Sequence, residues 1–274
     1  MKGHEVSGFI KAYLPLYIDR ALPRSLQQSV EMPVSMALAH TIRTAFTTAF
    51  LALNQDLVRK TSIDTSFSGS TAITLLVRGS FLLCANVGDS RAVLGKKTSF
   101  GWRAVPLSSD HKPDLPKERE RILAYGGRVE PFVGTIHADR LTGGYVGPSR
   151  VWMSQEQIPG LAMSRSLGDF VASQLGVISE PDFTQVELTP EDKFVIVASD
   201  GIWEFLSSQK VSTRQCVEMV GRLWEEGEEE GATEVLVTEA VAAWRRTSTQ
   251  QEDEVVDDIT VVLCFFTQSP PILC

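Results

Sequence analysis

Four cysteines in 274 residues, Cys84, Cys216, Cys264 and Cys274, are too few and too scattered for a disulfide framework, and none form a CxxC pair. Cys84 and Cys264 fall inside apolar, strand-like runs, where cysteine acts as a small buried hydrophobe. Histidine is equally sparse. His4, His40, His111 and His137 show no HExxH or paired spacing, which argues against zinc chemistry. The N-terminal MKGHEVSGFIKAYL lacks an apolar signal core, and no N-x-S/T acceptor occurs, so a reducing intracellular setting, cytoplasmic or nuclear, is the expectation. The longest apolar-rich stretch, Met36 to Leu53, is interrupted by His40, Arg43 and several threonines, and no membrane association is expected. A basic excess is missing too. The net charge of -8 excludes nucleic-acid binding by phosphate neutralisation, and the acidic runs at Glu225–Glu230 and Glu252–Glu254 read as solvated surface. Neither a G-x-x-x-x-G-K-[ST] phosphate loop nor a G-x-S-x-G nucleophile elbow is present.

What is present is enough apolar residue, 43%, to build a core. Glu5 to Leu22 has helical character with a break expected near Pro15. Leu38, Ile42, Ala45, Phe46, Ala49 and Leu53 recur at three- and four-residue spacing and predict a helix from Pro33 to Lys60. The period then changes. Ala72–Arg78, Phe81–Val87 and Ser90–Leu94 read as consecutive strands joined by hairpin signals at Gly79-Ser80 and Gly88-Asp89. Pro116 to Tyr125 reads as a short helix stopped by Gly126-Gly127, and Glu130 to Gly160 as a long irregular excursion. Within it, Gly143 to Pro159, carrying Val151-Trp152, reads as a packed loop. Phe183–Leu188 alternates like a half-buried strand. Lys193–Ser199 is a buried strand, Ser208–Trp224 and Thr233–Arg246 are helices, and Ile259–Phe266 is a last strand. Strands in blocks, then helices, then a strand predict an α+β fold with antiparallel sheets, in one domain.

The residues that could carry chemistry sit at strand ends. Asp200 closes the apolar run Phe194–Ala198, and Asp257-Asp258 open another. If those strands are antiparallel neighbours, their carboxylates share one rim of a sheet. Like charges so close are costly unless a cation sits between them, and hard cations such as Mg²⁺ or Mn²⁺ take oxygen ligands. The alternative, that both are capping or turn acids, stands open at this point. Asp89, at a turn, reads as structural, accepting bonds from local backbone N–H groups.

Seven segments occur in order: SGSTA (Ser68–Ala72), ANVGDSRAVL (Ala85–Leu94), DHKPDLPKERERILAYGG (Asp110–Gly127), LAMSRSLGDF (Leu161–Phe170), VISEPD (Val177–Asp182), ASDGIWE (Ala198–Glu204) and DDITVV (Asp257–Val262). Together they resemble the metal-dependent protein phosphatase family (PPM, type 2C), which hydrolyses phosphoserine and phosphothreonine. The resemblance implies a central β-sandwich of two antiparallel sheets flanked by helices, four layers α-β-β-α, and a centre of two Mg²⁺ or Mn²⁺ ions. By motif, Asp200 and Asp257 resemble ligands of that centre, with Gly201 beside them. Asp169 resembles the ligand of a weaker third metal, and Glu204 stands where the family often has another acid for that site. Phosphoproteins are the implied substrates, and a monomer the implied state.

The sequence also departs from the family, whose pattern begins earlier, with strands ending in Asp-Gly-His-Gly. That motif supplies a bridging aspartate and a general-acid histidine. Neither has a counterpart here, and His4 matches a later position, near the start of a helix. The expectation is a phosphatase domain over 1–268, incomplete at its N terminus, with a short tail over 269–274, impaired in activity and with no catalytic residue assigned. A catalytically silent relative that binds other proteins is the alternative.

Overall fold

In the computed structural model, the structure describes residues 3–24, 26, 34–133, 145–204, 209–248 and 257–266. They divide into two compact units that alternate along the chain: Met1–Ala72, Ala85–Asp89 and Asp110–Asp182 form one, and Ile73–Cys84, Ser90–Ser109 and Phe183–Cys274 the other.

The first unit opens with two helices, α1 (Gly3–Ala21) and α2 (Met36–Lys60). Pro15 lies inside α1, which continues past it rather than breaking there. A helix can lose the one N–H a proline lacks when packing holds it on both sides of the gap. Helix α2 is capped by Ser35, whose Oγ accepts from the Leu38 N–H. Its length and composition would allow it to cross a membrane. Its buried residues, Ile42, Phe46, Ala49, Leu53 and Leu57 among them, nevertheless form one face, as in an amphipathic core helix. Thr41, Thr44 and Thr48 donate their hydroxyls to carbonyls one turn back, so they sit in the helix without unpaired polar groups. Tyr17 of α1 bonds Asp56 of α2 at 2.6 Å.

Further along come β1 (Gly69–Ser70), which pairs with β9 (Leu167–Gly168), and a small antiparallel sheet of β6 (Gly127–Val133), β7 (Tyr145–Met153) and β8 (Pro159–Leu161). Helices α3 (Pro116–Ala124) and α4 (Phe170–Ser173) belong to the same unit. Ile122, Val129, Val151, Ala172, Leu175 and Val177 make its core. The sheet corrects the irregular excursion expected from Glu130 to Gly160. Its pairing register shifts between Pro131 and Phe132 and again between Val151 and Trp152, so no clean period of two survives in the sequence. Val151-Trp152 is packed as expected, on β7, with Trp152 Nε1 donating to the Glu130 carbonyl.

Most of the second unit is a sandwich. One antiparallel sheet runs β12-β11-β4-β5, from β4 (Arg91–Thr98), β5 (Gly101–Pro106), β11 (Asp192–Ala198) and β12 (Val261–Phe265). The other runs β10-β3-β2, from β2 (Ala72–Arg78), β3 (Phe81–Val87) and β10 (Asp182–Glu187). Alternation sorts the side chains. Val195 on β11 and Ala92 and Leu94 on β4 join Leu82 and Cys84 between the sheets. Phe194, Ile196, Ala198 and Val93 point the other way, onto α6 (Gln209–Glu226) and α7 (Ala232–Ser248) through Val217, Val220, Leu236 and Ala240. The chain is therefore α+β with two facing antiparallel sheets and helices on an outer face. Gly79-Ser80 is the expected turn between neighbouring strands. Gly88-Asp89 is not: β3 and β4 belong to different sheets, so this turn is a corner and not a hairpin. Cys84 is buried, but Cys264 is exposed, contrary to its strand-core reading. Cys274 lies outside the described residues.

Candidate metal centre

Strand β11 is buried along nearly its whole length, which fixes where it ends. Beyond it, Ser199 fastens the start of β12 to the end of β11. Its N–H donates to the Thr260 carbonyl (3.0 Å), its Oγ donates to the Asp258 carbonyl (3.0 Å), and the same Oγ accepts from the Thr260 N–H (3.0 Å). Asp200 then opens a single helical turn, α5 (Asp200–Trp203), in which the Glu204 N–H donates to the Asp200 carbonyl. Two indoles brace that turn: Trp203 Nε1 donates to Ala198 O and Trp244 Nε1 to Gly201 O.

Gly201 is where the two chain segments touch. A Cβ there would lie 2.6 Å from the Asp258 carbonyl oxygen and 3.0 Å from the Ile259 side chain, so the approach tolerates no side chain. The structure thus brings Asp200, Gly201 and Asp257 to one rim of the four-stranded sheet, where antiparallel β11 ends and β12 begins. Asp257 is exposed and turns one carboxylate oxygen onto the Asp258 N–H (2.7 Å). Asp200 is half-buried, and Glu204, one turn on, is exposed. Two carboxylates on one rim suit a hard cation, which needs few protein ligands and keeps its own water. Among the described residues, no cluster of three or more His, Cys, Asp or Glu is arranged to hold a metal ion.

Asp169 belongs to the first unit. It is buried and takes φ 44°, ψ 52°, and it is the one non-glycine among the described residues with positive φ. Such a conformation costs of order 1 kcal/mol and persists only where neighbours impose it. They do so here: the Asp169 N–H donates to Ser68 O, the Gly168 N–H to Asn54 Oδ1, and the Phe170 N–H to Thr65 O. Burial pushes its carboxyl above the usual range, and the nearby Ser166 hydroxyl opposes that shift.

The residues that hold this loop were not singled out by the sequence. Glu118 on α3 is buried and accepts from Ser164 Oγ (2.7 Å), Arg121 (2.7 Å) and Arg165 (2.8 Å). Arg121 also donates to Ser164 O and Gly176 O, and Arg165 reaches Asp182 at 3.1 Å. On the other side of Asp182 stands buried His111. Its Nδ1 accepts the Gly88 N–H, so the proton of the neutral ring lies on Nε2, 3.1 Å from Asp182. Bonds from His111 and Arg165 hold the Asp182 carboxyl below the usual range. Asp89 is structural in a different way from that expected: its carboxylate pairs with Lys112 at 2.6 Å. The one sign of this network in the sequence is the density of charge in DHKPDLPKERERI, which does not say which charges face inward. His4 is an exposed residue in the first turns of α1, where it was expected.

A family model described as protein phosphatase 2C matches residues 16–249. Among curated relatives, "Probable protein phosphatase 2C 72" of Arabidopsis thaliana is 40% identical over 206 residues, covering 74% of this chain and 56% of that protein. "Probable protein phosphatase 2C 48" of Oryza sativa subsp. japonica is 40% identical over 225 residues, covering 80% and 58%. The chain spans about half the length of the curated relatives it matches, between 42% and 60%. Of solved structures, a serine-threonine phosphatase 2C from Toxoplasma gondii superposes with a TM-score of 0.71 at 23% identity, covering 94% of this chain and 81% of that one. A C. elegans sex determining protein superposes at 0.67 and 19% identity, covering 97% and 54%. At these identities the superpositions speak for the fold alone.

Proposed function

The chain belongs to the protein phosphatase 2C family, and on that premise we propose that it serves as a metal-dependent protein serine/threonine phosphatase, hydrolysing phosphoserine and phosphothreonine in intracellular phosphoproteins. The observation that carries the reading is the junction of Ser199 and Gly201 with Asp258 and Thr260, which sets Asp200 and Asp257 on one rim. In this reading both carboxylates are ligands for Mg²⁺ or Mn²⁺, and Gly201 lets the two chain segments that carry them approach closely. When bound, such ions supply a water acidic enough to attack phosphorus in line.

What the chain's own residues do follows from charge. Asp200 and Asp257 repel each other, and a cation relieves that repulsion. Ser199 keeps the two strand ends from parting in its absence. A binuclear centre also needs a carboxylate shared between its ions, and the leaving oxygen needs a proton; no residue of this chain matches the family's groups for either task. The proposal therefore includes a longer protein that supplies both, acting as a monomer in the cytoplasm or nucleus, without nucleic-acid or membrane partners.

The test uses purified chain with millimolar Mn²⁺ and a phosphothreonine peptide, with calorimetry for the metal. Weak binding of a divalent cation, lost in Asp200→Asn, and turnover near background are expected. Removing a general acid alone costs about 10²–10⁴-fold. Robust Mn²⁺-dependent turnover abolished by Asp200→Asn would show that the chain itself supplies the shared ligand. Absence of any metal binding favours the silent, protein-binding alternative.

A further inference from the structure

The connection from α2 to β1 does more than join them. The Thr65 carbonyl accepts the Phe170 N–H (2.8 Å), the Ser66 carbonyl the Val171 N–H (3.1 Å) and the Ser68 carbonyl the Asp169 N–H (2.9 Å). These bonds are the shelf on which the left-handed turn at Asp169 rests. At its other end the connection is tied back to α2 by Thr61. The Thr61 Oγ1 donates to the Leu57 carbonyl (2.7 Å) and accepts the Ile63 N–H (3.2 Å). Between the two ties stands Ser62, exposed and outside helix and strand. All of these residues belong to the first unit.

Arg59-Lys60-Thr61-Ser62 places an arginine three positions and a lysine two positions before a hydroxyl. Both basic side chains are exposed, in the last turn of α2. A kinase whose peptide groove is lined with carboxylates selects this pattern. A guanidinium meets a carboxylate through two parallel bonds, which fixes where the following hydroxyl is presented. Three serines of the chain, Ser62, Ser99 and Ser248, have basic residues at both positions, and the structure separates them. Lys96 and Lys97, ahead of Ser99, are paired into β4 against β5 and bound to Glu191, Asp192 and Glu225. Ser248 is still inside α7, one turn after Trp244, which is fastened to Gly201. Ser62 alone of the three lies past a helix end. None of Val58 to Ser62 is buried, so that last turn can unwind into a groove without opening the core.

We propose that Ser62 is a phosphorylation site for an arginine-directed serine kinase, and that the phosphate loosens the Asp169 turn. The Ser62 Oγ attacks the γ-phosphorus of a nucleoside triphosphate. The Oγ–P bond forms, the bond from that phosphorus to the β,γ-bridging oxygen breaks, the diphosphate leaves, and the hydroxyl proton passes to the kinase's base. The product sets about two negative charges just past the C-terminus of α2, where the helix's own partial charge is negative. It also sets them two residues from Asp64, whose Oδ1 accepts the Ser66 N–H (3.1 Å). Arg59 and Lys60 offset part of this. Exposed pairs are weak, however, and Lys60 is already held by Asp56 at 2.8 Å. The remaining repulsion falls on the segment whose carbonyls hold Asp169, Phe170 and Val171.

The test incubates the full chain with a purified arginine-directed serine kinase, ATP and Mg²⁺, and maps phosphate by tandem mass spectrometry. Asp200→Asn is run in parallel, so that hydrolysis by the chain itself is not mistaken for the lack of a site, and neither readout depends on the phosphatase reading. Phosphate on Ser62 is expected, lost in Ser62→Ala and slower by about tenfold in Arg59→Ala. Hydrogen exchange at Asp169, Phe170 and Val171 should then be about twofold to fivefold faster than in the unmodified chain, with β11 unchanged. Phosphate on Ser99 or Ser248 without Ser62, no phosphate in either background, or an equal rate in Arg59→Ala overturns the proposal. Exchange at the Asp169 turn that is unchanged or slowed by phosphate on Ser62 overturns it as well.

Discussion

Glu118 concentrates more of the first unit's electrostatics than any other side chain described. Burial alone would raise its carboxyl, but bonds from Arg165, Arg121 and Ser164 outweigh that and hold it well below the usual carboxylate range. A depressed carboxyl contributes stability that is fully present above its unfolded value of about 4.3 and is lost as pH falls towards the native one. Glu118→Gln leaves half-buried Arg121 without this counter-charge and Arg165 with Asp182 alone, and is expected to destabilise by about 3 kcal/mol at pH 7. In urea titrations the difference between wild type and variant should shrink steadily below pH 4.3, roughly. A constant difference across that range would mean the carboxylate's charge is not what holds Ser164 and Arg165. Gly201→Ala belongs to the same scale. Its Cβ meets backbone at Asp258 rather than a flexible side chain, so overpacking of about 1–3 kcal/mol is expected, with loss of Mn²⁺ binding by calorimetry. At this scale the sequence was readable where a residue sits at the end of a strong pattern. Asp200 and Asp257 flank apolar runs, and their place at the strand ends was legible on that basis. Glu118 and His111 were not, because burial of a charged residue depends on partners 46 and 71 positions away.

Helix α6 meets its sheet through Gly221, whose Cα lies against the Trp102 indole of β5; a Cβ would come within 2.3 Å of that ring. Glycine within a helix ordinarily costs about 1 kcal/mol relative to alanine, so propensity alone predicts that Gly221→Ala stabilises. The ring is already committed, edge-on to Trp224 at 5.9 Å between centroids and tilted on Phe194 at 5.3 Å. The clash should win, and Gly221→Ala is expected to lower stability by about 1–2 kcal/mol. Trp102→Leu in the same background should remove most of that penalty, a coupling measurable in a double-mutant cycle. The junction of β11 with β12 gives a second test. Millimolar Mn²⁺ should raise the melting temperature of wild type, by about 1.4 kcal/mol of stabilisation at ten times Kd, and leave Asp257→Asn unmoved. Without metal the variant should melt no lower than wild type, because a like charge has gone from the rim. Most elements were legible where one period persists: α2, β2, β3, β11 and the two C-terminal helices. The connection of β3 to β4 was misread because Gly-Asp signals a reversal without saying whether the chain returns to the same sheet. β6 to β8 were missed because their pairing shifts register twice and carries no steady alternation.

The whole molecule is assembled from interleaved segments. Strand β11 pairs with β4 across a separation of about a hundred residues, Ile196 opposite Val93. The second unit's helices α6 and α7 cover a sheet half of which comes from Arg91–Pro106. A fragment comprising residues 183–274 should therefore lack cooperative unfolding, followed by the fluorescence of Trp203, Trp224 and Trp244, and should recover it on mixing with 1–182. Cooperative melting of 183–274 alone would mean that β4 and β5 are dispensable to the core.

The corner at Gly88-Asp89 and the alternation of the two units bear on how such a gene can be edited. Each unit is written in three separate passages, which alternate with those of the other along the chain. A transcript that skips one internal exon, or a protease that trims an interior stretch, cannot delete one unit and leave the other whole. Any in-frame loss longer than about twenty residues between Ile73 and Ser109 removes text from both. Insertions at surface turns, by contrast, lengthen the message and leave every passage in its place.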